Sequence, residues 1–548
     1  MTSAPRRGQC GVDGTRGVPS VTEGQGMAES PQTTQQPDYP ENIDAAVLKI
    51  AGVVILGVIM SILDITVVNV ALPTFQEEFG SASDPLEYSH VAWTVTAYTL
   101  ALATVIPMTG WAADRFGPKR LFMVAIGLFT AGSVLCATAQ DINTLIAFRV
   151  LQGLGGGMIM PLGMTIMTRA AGPRRMGRLM AILGIPMLLG PILGPIVGGW
   201  LIENASWHWI FLINLPIGLA TLVYAWFALP SDRPEPSESF DFVGMLLLSP
   251  GLALFLFGVS SIPEKGTVAD PRVWVSMLAG ALLMLAFVWH SFRPQHPLLD
   301  LRLFRNRNLT LSVIVMFLFV AAFFGSLLLV PTYFQQVRGE STFNAGLLVA
   351  PQGLGAMVTM PIAGRLVDRI PVGRIVPFGL LGILAGMFPL TQITSETDYW
   401  KIVLALFVMG LGMGGTMMPM FTSALKSLTH QEVARGTTLI NINQQIASSV
   451  GVAVMSVLLT NWLPPQRIWY AVVGSWENPG LVTQLGGQGV VDGFLAEAGD
   501  AFASTFWVAW VLVLLTLIPV AFLPRRREES RMLDTEAPTG AAAAPPPH

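Results

Sequence analysis

Leu48–Pro73 reads LKIAGVVILGVIMSILDITVVNVALP, twenty-six residues with one lysine near the start and one aspartate, Asp64, well inside. About twenty apolar residues carry a helix across the hydrocarbon of a bilayer. In lipid the backbone groups must pair within the segment, so a block of this length is a membrane helix. Reading outward, thirteen more blocks follow, near 90–113, 120–139, 143–168, 178–201, 208–229, 240–261, 272–291, 309–332, 344–366, 374–392, 400–424, 434–460 and 501–523. Barrel strands would be half as long and alternating. The seventh block is the least regular, because Pro250 and Gly251 interrupt it. Losing it would put the termini on opposite sides.

The whole chain agrees with that first block. Of 548 residues, 52% are hydrophobic and 12% charged, half of the roughly 25% charged in soluble globular proteins. Mean hydropathy is +0.59. An ordinary soluble enzyme and a disordered scaffold are excluded. A net charge of −3 gives no attraction to a polyanion, so a nucleic-acid partner is not expected. With both termini inside, 25 of the 31 Lys and Arg fall in inner tails, loops and helix ends. Five lie outside (Lys265, Arg272, Arg338, Lys401, Arg467), and Arg149 lies within a span. That is the positive-inside asymmetry. It predicts a multi-pass protein of the plasma (inner) membrane with both termini cytoplasmic. The first outer loop holds Glu77, Glu78, Asp84 and Glu87 and no basic residue. Cys10 and Cys136 supply no disulfide framework.

Residues 1–47 are rich in Gly, Pro, Ser and Gln and are expected to be a cytoplasmic tail without structure. No apolar core with a cleavage site marks them as a signal peptide, and Met27 is an alternative start. Arg525–Arg527 followed by a Thr-Gly-Ala-Pro tail closes the chain at 524–548. Between the tails the chain repeats itself. Gly110-Trp-Ala-Ala-Asp114-Arg115 after span 2 matches Gly364-Arg-Leu-Val-Asp368-Arg369 after span 10 at an offset of 254. Gly156, Gly157, Met160 and Pro161 in span 4 match Gly414, Gly415, Met418 and Pro419 in span 12 at 258. Both copies start inside, which is a parallel repeat. The division predicted is a six-helix bundle over 48–229, an inserted two-helix segment with its loops over 230–308, and a second bundle over 309–523. The pathway then lies between the bundles, with the inserted pair outside it.

Four motifs carry a resemblance. Leu63-Asp64-Ile-Thr66-Val-Val-Asn69-Val-Ala71-Leu72-Pro73 resembles the first-helix signature of the fourteen-helix drug:proton antiporters, a branch of the major facilitator superfamily. Gly110 to Arg120, GWAADRFGPKR, resembles the superfamily's loop motif, with Gly110, Asp114, Arg115, Gly117 and Arg120 in its places. Arg149-Val-Leu-Gln152-Gly153 is similar to the fourth-helix motif. Gly190-Pro191-Ile-Leu-Gly194-Pro195-Ile-Val-Gly198-Gly199 is similar to the fifth-helix motif of the antiporters. The likeness covers about 48 to 523, in family order. His208 stands where the family usually has Arg, and Pro371 where the second loop usually has Gly.

The resemblance and the residues together suggest roles. The basic loop at 114–120 holds topology, or acts as a latch in which Asp114 faces the positive end of a helix. The family implies the latch, which holds the outward-open state. Glycines at four-residue spacing in span 5 let helices approach, while its prolines kink the helix; the family implies a proton seal there. Among 34 acids, Asp64 alone lies well inside a span. Charges at depth are costly and usually functional, although a structural salt bridge is the alternative. Asp64 lies about 13 Å below Pro73, and Arg149 about 9 Å below Asn143, by helical rise, so both occupy the outer half of the bilayer. The offsets carry Asp64 onto 318–322 and Arg149 onto 403–407, all uncharged, so the coupling charges belong to the first half.

No phosphate-binding loop, H-E-x-x-H or G-x-S-x-G is present. The six histidines lie at span ends or in loops. The reading is an all-α secondary transporter, not an enzyme, with no cofactor and the proton as coupling ion. It exports small amphipathic or hydrophobic compounds by alternating access. Gln152, Met158, Asn443 and Gln444 are candidates for the cavity wall, together with adaptable methionines such as Met164 and Met418. Export of a lipid or cell-envelope precursor, and a non-transporting receptor or assembly factor, are the alternatives.

Overall fold

The structure is a computed structural model and describes residues 44–80, 88–232, 239–265, 269–429, 432–476 and 479–525. Of the predicted tails 1–47 and 524–548, residues 1–43 and 526–548 lie outside them, and the expectation of no structure fails at 45–47, which are the first residues of a helix capped by Asp44. Every regular element among the described residues is helical. The first six spans are built from α1 (Ala45–Phe79), α2 (Tyr88–Phe116), α3 (Pro118–Ala137), α4 (Ile142–Asn204), which holds two of them, and α5 (Trp209–Leu212) with α6 (Asn214–Ala228), which together make the sixth. The inserted pair is α7 (Phe242–Lys265) and α8 (Pro271–Ser291). The rest are α9 (Arg307–Gln336), α10 (Thr342–Val367), α11 (Val372–Met387), α12 (Tyr399–Gly414), α13 (Met417–Lys426), α14 (Val433–Trp462), α15 (Gln466–Gly474), α16 (Gly480–Gln484) and α17 (Gln488–Val520).

Caps fix where these helices begin. Asp44 accepts from Val47 N at 3.0 Å, and Asp141 from Thr144 N at 2.9 Å. Asp141 also takes the Thr144 hydroxyl, and these bonds hold its carboxyl below the usual range. Asp270, Asn306 and Ser341 do the same for α8, α9 and α10, satisfying donors that a helix start leaves open.

Spans 4 and 5 form one unbroken helical run, α4. Its two limbs nevertheless lie on α1 in opposite order. Arg149 meets Asp64, a Cβ on Gly163 would meet Val54, and Arg175 lies 3.5 Å from Asp44. Beyond the turn, Gly190, Gly194 and Gly198 abut Ile62, Thr66 and Val67. The chain therefore goes down α1 and returns along it. Thirteen described helices are long and apolar enough to cross a membrane; the second limb of α4 is the remaining span of the predicted fourteen.

Span 7 is an unbroken α7 through Pro250 and Gly251. Gly251 is one of the points of close approach between α7 and α8, with Gly258 and Gly280: an added Cβ on Gly251 would stand 3.0 Å from Leu283 Cβ, and one on Gly280 2.6 Å from Gly251 O. The inserted pair reaches both halves. Ser249 donates to Thr104 O at 2.7 Å, and Leu248 and Leu252 share an apolar cluster with Ala103 and Ile106 of α2 and Leu439 and Ile442 of α14.

Some elements differ from the sequence expectation. Span 14 begins as α17 at Gln488, thirteen residues before the apolar block, because helix and apolar stretch need not coincide; Val491, Leu495 and Ala498 are buried there. Residues 466–484 hold α15 and α16, where only a loop is expected. Trp469 Nε1 reaches Gln336 Oε1 at 3.3 Å, and Trp476 Nε1 reaches Gln336 O at 3.2 Å, tying these short helices to the end of α9. Span 12 breaks into α12 and α13 at Gly415 and Thr416.

Both described ends lie on one side. Asp44 adjoins Arg175, and Pro524 accepts from Gly373 N at 3.3 Å. On this termini side the halves meet. Thr165 and Thr437 hydroxyls are 2.8 Å apart, Asn441 Nδ2 lies 3.4 Å from Met164 Sδ, and Gly184 abuts Met360 and Met418.

Candidate functional site

Five helices bring polar groups to one point inside the first six spans. Asp64 of α1 and Arg149 of α4 form an ion pair with both side chains fully buried, Nη1 to Oδ2 at 2.5 Å. Gln152, one turn after Arg149, accepts from Nη1 at 2.7 Å through Oε1. Its Nε2 donates to Asp64 Oδ1 at 2.7 Å and to Ser133 Oγ of α3 at 2.6 Å. Asn214, the first residue of α6, donates to the same Oδ1 at 3.1 Å and to Ser133 at 3.2 Å. Arg149 Nε is spent on Thr94 O at 3.0 Å. Nη2 makes no hydrogen bond among the described residues; the guanidinium instead lies 4.2 Å from the Tyr98 ring centre and 5.8 Å from that of Phe211. Cations are attracted to such ring faces. Cys136 closes the network, its Sγ 3.5 Å from Gln152 Oε1.

The physics is that of a buried ion pair whose carboxylate is fully hydrogen-bonded. Isolated charges at this depth would be costly, and here Asp64 receives three N–H groups while Arg149 donates from Nε and Nη1. All of these partners belong to the first six spans. Gln152, expected on the cavity wall, is fully buried at the ion pair. Its spacing of three residues from Arg149 places both on one helix face. Asn214, Ser133, Thr94 and Tyr98 are additions that the sequence reading does not make. Their signal is weak, because uncharged polar residues occur throughout membrane helices; Asn214 is the most visible, an amide within an apolar span.

In the fifth-span motif, Gly190, Gly194 and Gly198 are the contact points on α1. Thr66 Oγ1 donates to Gly190 O at 3.2 Å. Gly199 faces open space, with nothing within reach of an added Cβ. The side chains of Pro191 and Pro195 lie outside the described residues.

The loop residues separate by half. Asp114 accepts from Arg169 Nη2 at 2.9 Å, a side chain of its own half. Gly110, four residues earlier, rests on α14, with Ala434 O 3.1 Å from an added Cβ. Asp368 reaches the other half. Its Oδ1 accepts from the backbone of Gly177, at the start of the second limb of α4, at 3.0 Å and from Lys426 Nζ at 3.1 Å. Arg178 lies 3.6 Å from Oδ2. Gly364 permits this approach, since its Cβ would stand 2.6 Å from Gly177 O. Arg115 and Arg369 are exposed at helix ends. Gly117 has a φ of +89°, and the Arg120 backbone N donates to Asp232 Oδ2 at 2.9 Å.

The cavity candidates lie elsewhere. Met158 is buried in the main apolar core. Asn443 donates to Val313 O at 3.3 Å and, like Gln444, is half-buried. They sit on α14 within four residues of Asn441.

The model of the Major Facilitator Superfamily matches residues 54–452. The chain is 46% identical over 539 residues to the multidrug resistance protein B homolog of Mycobacterium tuberculosis, covering 95% of this chain and 97% of that one. It is 34% identical over 412 residues to the putative multidrug resistance protein MdtD of Klebsiella pneumoniae, covering 74% and 85%. Among solved structures, the human organic anion transporter MFSD10 aligns with a TM-score of 0.57 at 17% identity, over 85% of this chain and 99% of that one. The proton:xylose symporter XylE aligns at 0.55 and 15% identity, over 89% and 98%. The last two speak for the fold alone. Helical spans, parallel repeat, family match and relatives agree: the chain belongs to the major facilitator superfamily and is an integral, multi-pass membrane transporter.

Proposed function

We propose that this transporter exports amphipathic or hydrophobic compounds in exchange for protons by alternating access. The observation that carries the reading is the buried Asp64–Arg149 pair, with the carboxylate oxygens satisfied by three donors from two other spans of the same half. A carboxylate and a guanidinium at that depth neutralise each other. Adding a proton to Asp64 removes the anion and leaves Arg149 without its counter-charge, so protonation and helix position are linked. The multidrug resistance names of the relatives support the cargo class. The basic residues support a plasma-membrane protein with both termini cytoplasmic.

With that orientation, the halves are packed together on the cytoplasmic side, through Thr165–Thr437, Gly177–Asp368 and Gly184 with its two methionines. This is an outward-facing arrangement. Asp368, Arg178 and Lys426 form the latch across the halves, and the Asp114–Arg169 pair braces the first loop beside it. Gly190, Gly194 and Gly198 hold the second limb of α4 against the stretch of α1 that carries Asp64, which seals the acid from the pathway. Asn443 and Gln444 belong to the cavity wall, and the proton is the coupling ion.

The test is proton release on cargo addition. Purified protein in liposomes, given a lipophilic cation dye, should release protons in the native form. Asp64→Asn should release none while still binding the dye. Proton release at the native rate in Asp64→Asn places the coupling elsewhere.

A further inference from the structure

We propose that Asp232 is a positioning residue of the first gating loop: its carboxylate, four residues past the end of α6, caps α3 and fixes the turn that presents Gly110 and Asp114. The residue lies outside every motif described above. Helix α3 starts at Pro118, and its cap residue is Gly117, which has no side chain to offer. The first N–H groups of a helix need an acceptor. Asp232 provides both of its oxygens: Lys119 N donates to Oδ1 at 2.9 Å and Arg120 N to Oδ2 at 2.9 Å. An ordinary cap comes from the residue just before the helix. This one arrives from a point 112 residues beyond Arg120, so it joins two elements as well as ending one.

Three further observations tie the loop down at the same place. The φ of +89° at Gly117 is a conformation that glycine adopts freely, and a Cβ there would fall onto the Asp232 carboxylate. Lys119 Nζ reaches back to the last carbonyls of α6, Trp226 O at 2.7 Å and Leu229 O at 2.8 Å. Gly117 N donates to Ala113 O at 3.0 Å, closing the end of α2. The turn from α2 to α3 is thus gripped by the exit of α6, and α6 is gripped by the turn. Gly110 and Asp114 lie within two helical turns before it. Their register against α14 and Arg169 follows from where the turn is held.

The second half repeats the arrangement with a weaker bond. Gly373 N, in the first turn of α11, donates to Pro524 O at 3.3 Å, and Pro524 lies four residues past the end of α17. A Cβ on Gly373 would stand 2.8 Å from that carbonyl oxygen. In both halves, then, the chain leaving the last helix caps the third. One longer backbone bond stands where the first half has two bonds to a carboxylate, and an anion at a helix start also gains from the helix dipole. Asp232 further begins the linker into α7, so the inserted pair is tethered to the gating loop through this cap.

The experiment reads the gate directly, in full-length protein with Cys10 and Cys136 replaced and spin labels at the exposed Lys49 and Arg365 on the termini side of the two halves. Asp232→Ala should shift the ratio of short to long distances toward opening by about fivefold, the worth of one helix cap. Gly117→Ala should shift it at least as far, because it crowds the carboxylate and also strains a backbone at φ +89°, and the double variant should go no further than Gly117→Ala alone. Gly373→Ala should add to Asp232→Ala independently. Should Asp232→Ala fail to accumulate, Asp232→Asn, which keeps the shape and one acceptor, should shift the ratio in the same direction by less. An unchanged ratio in the accumulating Asp232 variant, or additive effects of Asp232→Ala and Gly117→Ala, overturns the proposal. No cargo or proton gradient is present, so the outcome is separate from whether Asp64 couples protons.

Discussion

At Arg149 one guanidinium serves Asp64, Gln152 and the Thr94 carbonyl at once. Only a planar fork spans such a set; a lysine ammonium is a point charge on a flexible stem. Arg149→Lys should therefore lower export at least tenfold with protein amount unchanged, measured as dye efflux from everted vesicles; native efflux would show that charge alone suffices. Stability should follow a different order. Removing one partner of a buried pair costs about 3–5 kcal/mol because the other charge is stranded. Arg149→Gln should thus melt well below the native protein, and Asp64→Asn with Arg149→Gln should recover much of the loss, read by thermal unfolding in detergent. A double variant no more stable than Arg149→Gln would refute a charge-balance account. The two charges were legible in the sequence because a lone acid and a lone base stand out in apolar blocks. Asn214 and Ser133 were not, since an amide or hydroxyl leaves no comparable contrast, and which of them converge depends on five helices packing together.

At the scale of elements, apolar length located the spans, but helix ends and breaks follow other physics. The start of α17 at Gln488, the short α15 and α16 and the break at Gly415–Thr416 depend on packing against α9 and α10 rather than on hydropathy. The fifth-span glycines were visible as a motif, and their partner only in three dimensions. Gly194 faces Thr66, and an added Cβ would overlap the Thr66 side chain. Gly194→Ala should destabilise the protein by about 1–3 kcal/mol, the usual cost of overpacking. Adding Thr66→Ala should return part of that, because it removes Oγ1, one of the atoms struck. A neutral Gly194→Ala in thermal unfolding would mean that the second limb of α4 does not lie this close to α1.

Across the whole molecule, one end is closed and the coupling pair lies away from the closure. The contacts between halves run through Thr165–Thr437, Asn441–Met164 and Gly177–Asp368 on the termini side, whereas Asp64 and Arg149 are enclosed within one half. A proton on Asp64 can therefore act on the closure through movement of helices that reach both, α4 with Arg149 and Thr165, and α2 with Thr94 and Gly110. The repeat in the sequence predicted two equivalent halves, and the structure adds a partner for each loop acid: Arg169 within its own half for Asp114, and the Gly177 backbone across the halves for Asp368. If the closure must open in every cycle, fixing it should stop transport without touching the ion pair. The Thr165 and Thr437 hydroxyls, 2.8 Å apart, offer the place. Thr165→Cys with Thr437→Cys, in a background lacking Cys10 and Cys136, should form a disulfide on mild oxidation and lose dye export. Reductant should restore it, and either single cysteine should export throughout. The disulfide spares Asp64 and its donors, so the oxidised protein should keep its thermal stability. Continued export by fully crosslinked protein would mean that cargo passes without this seam parting, and alternating access through it would have to be abandoned.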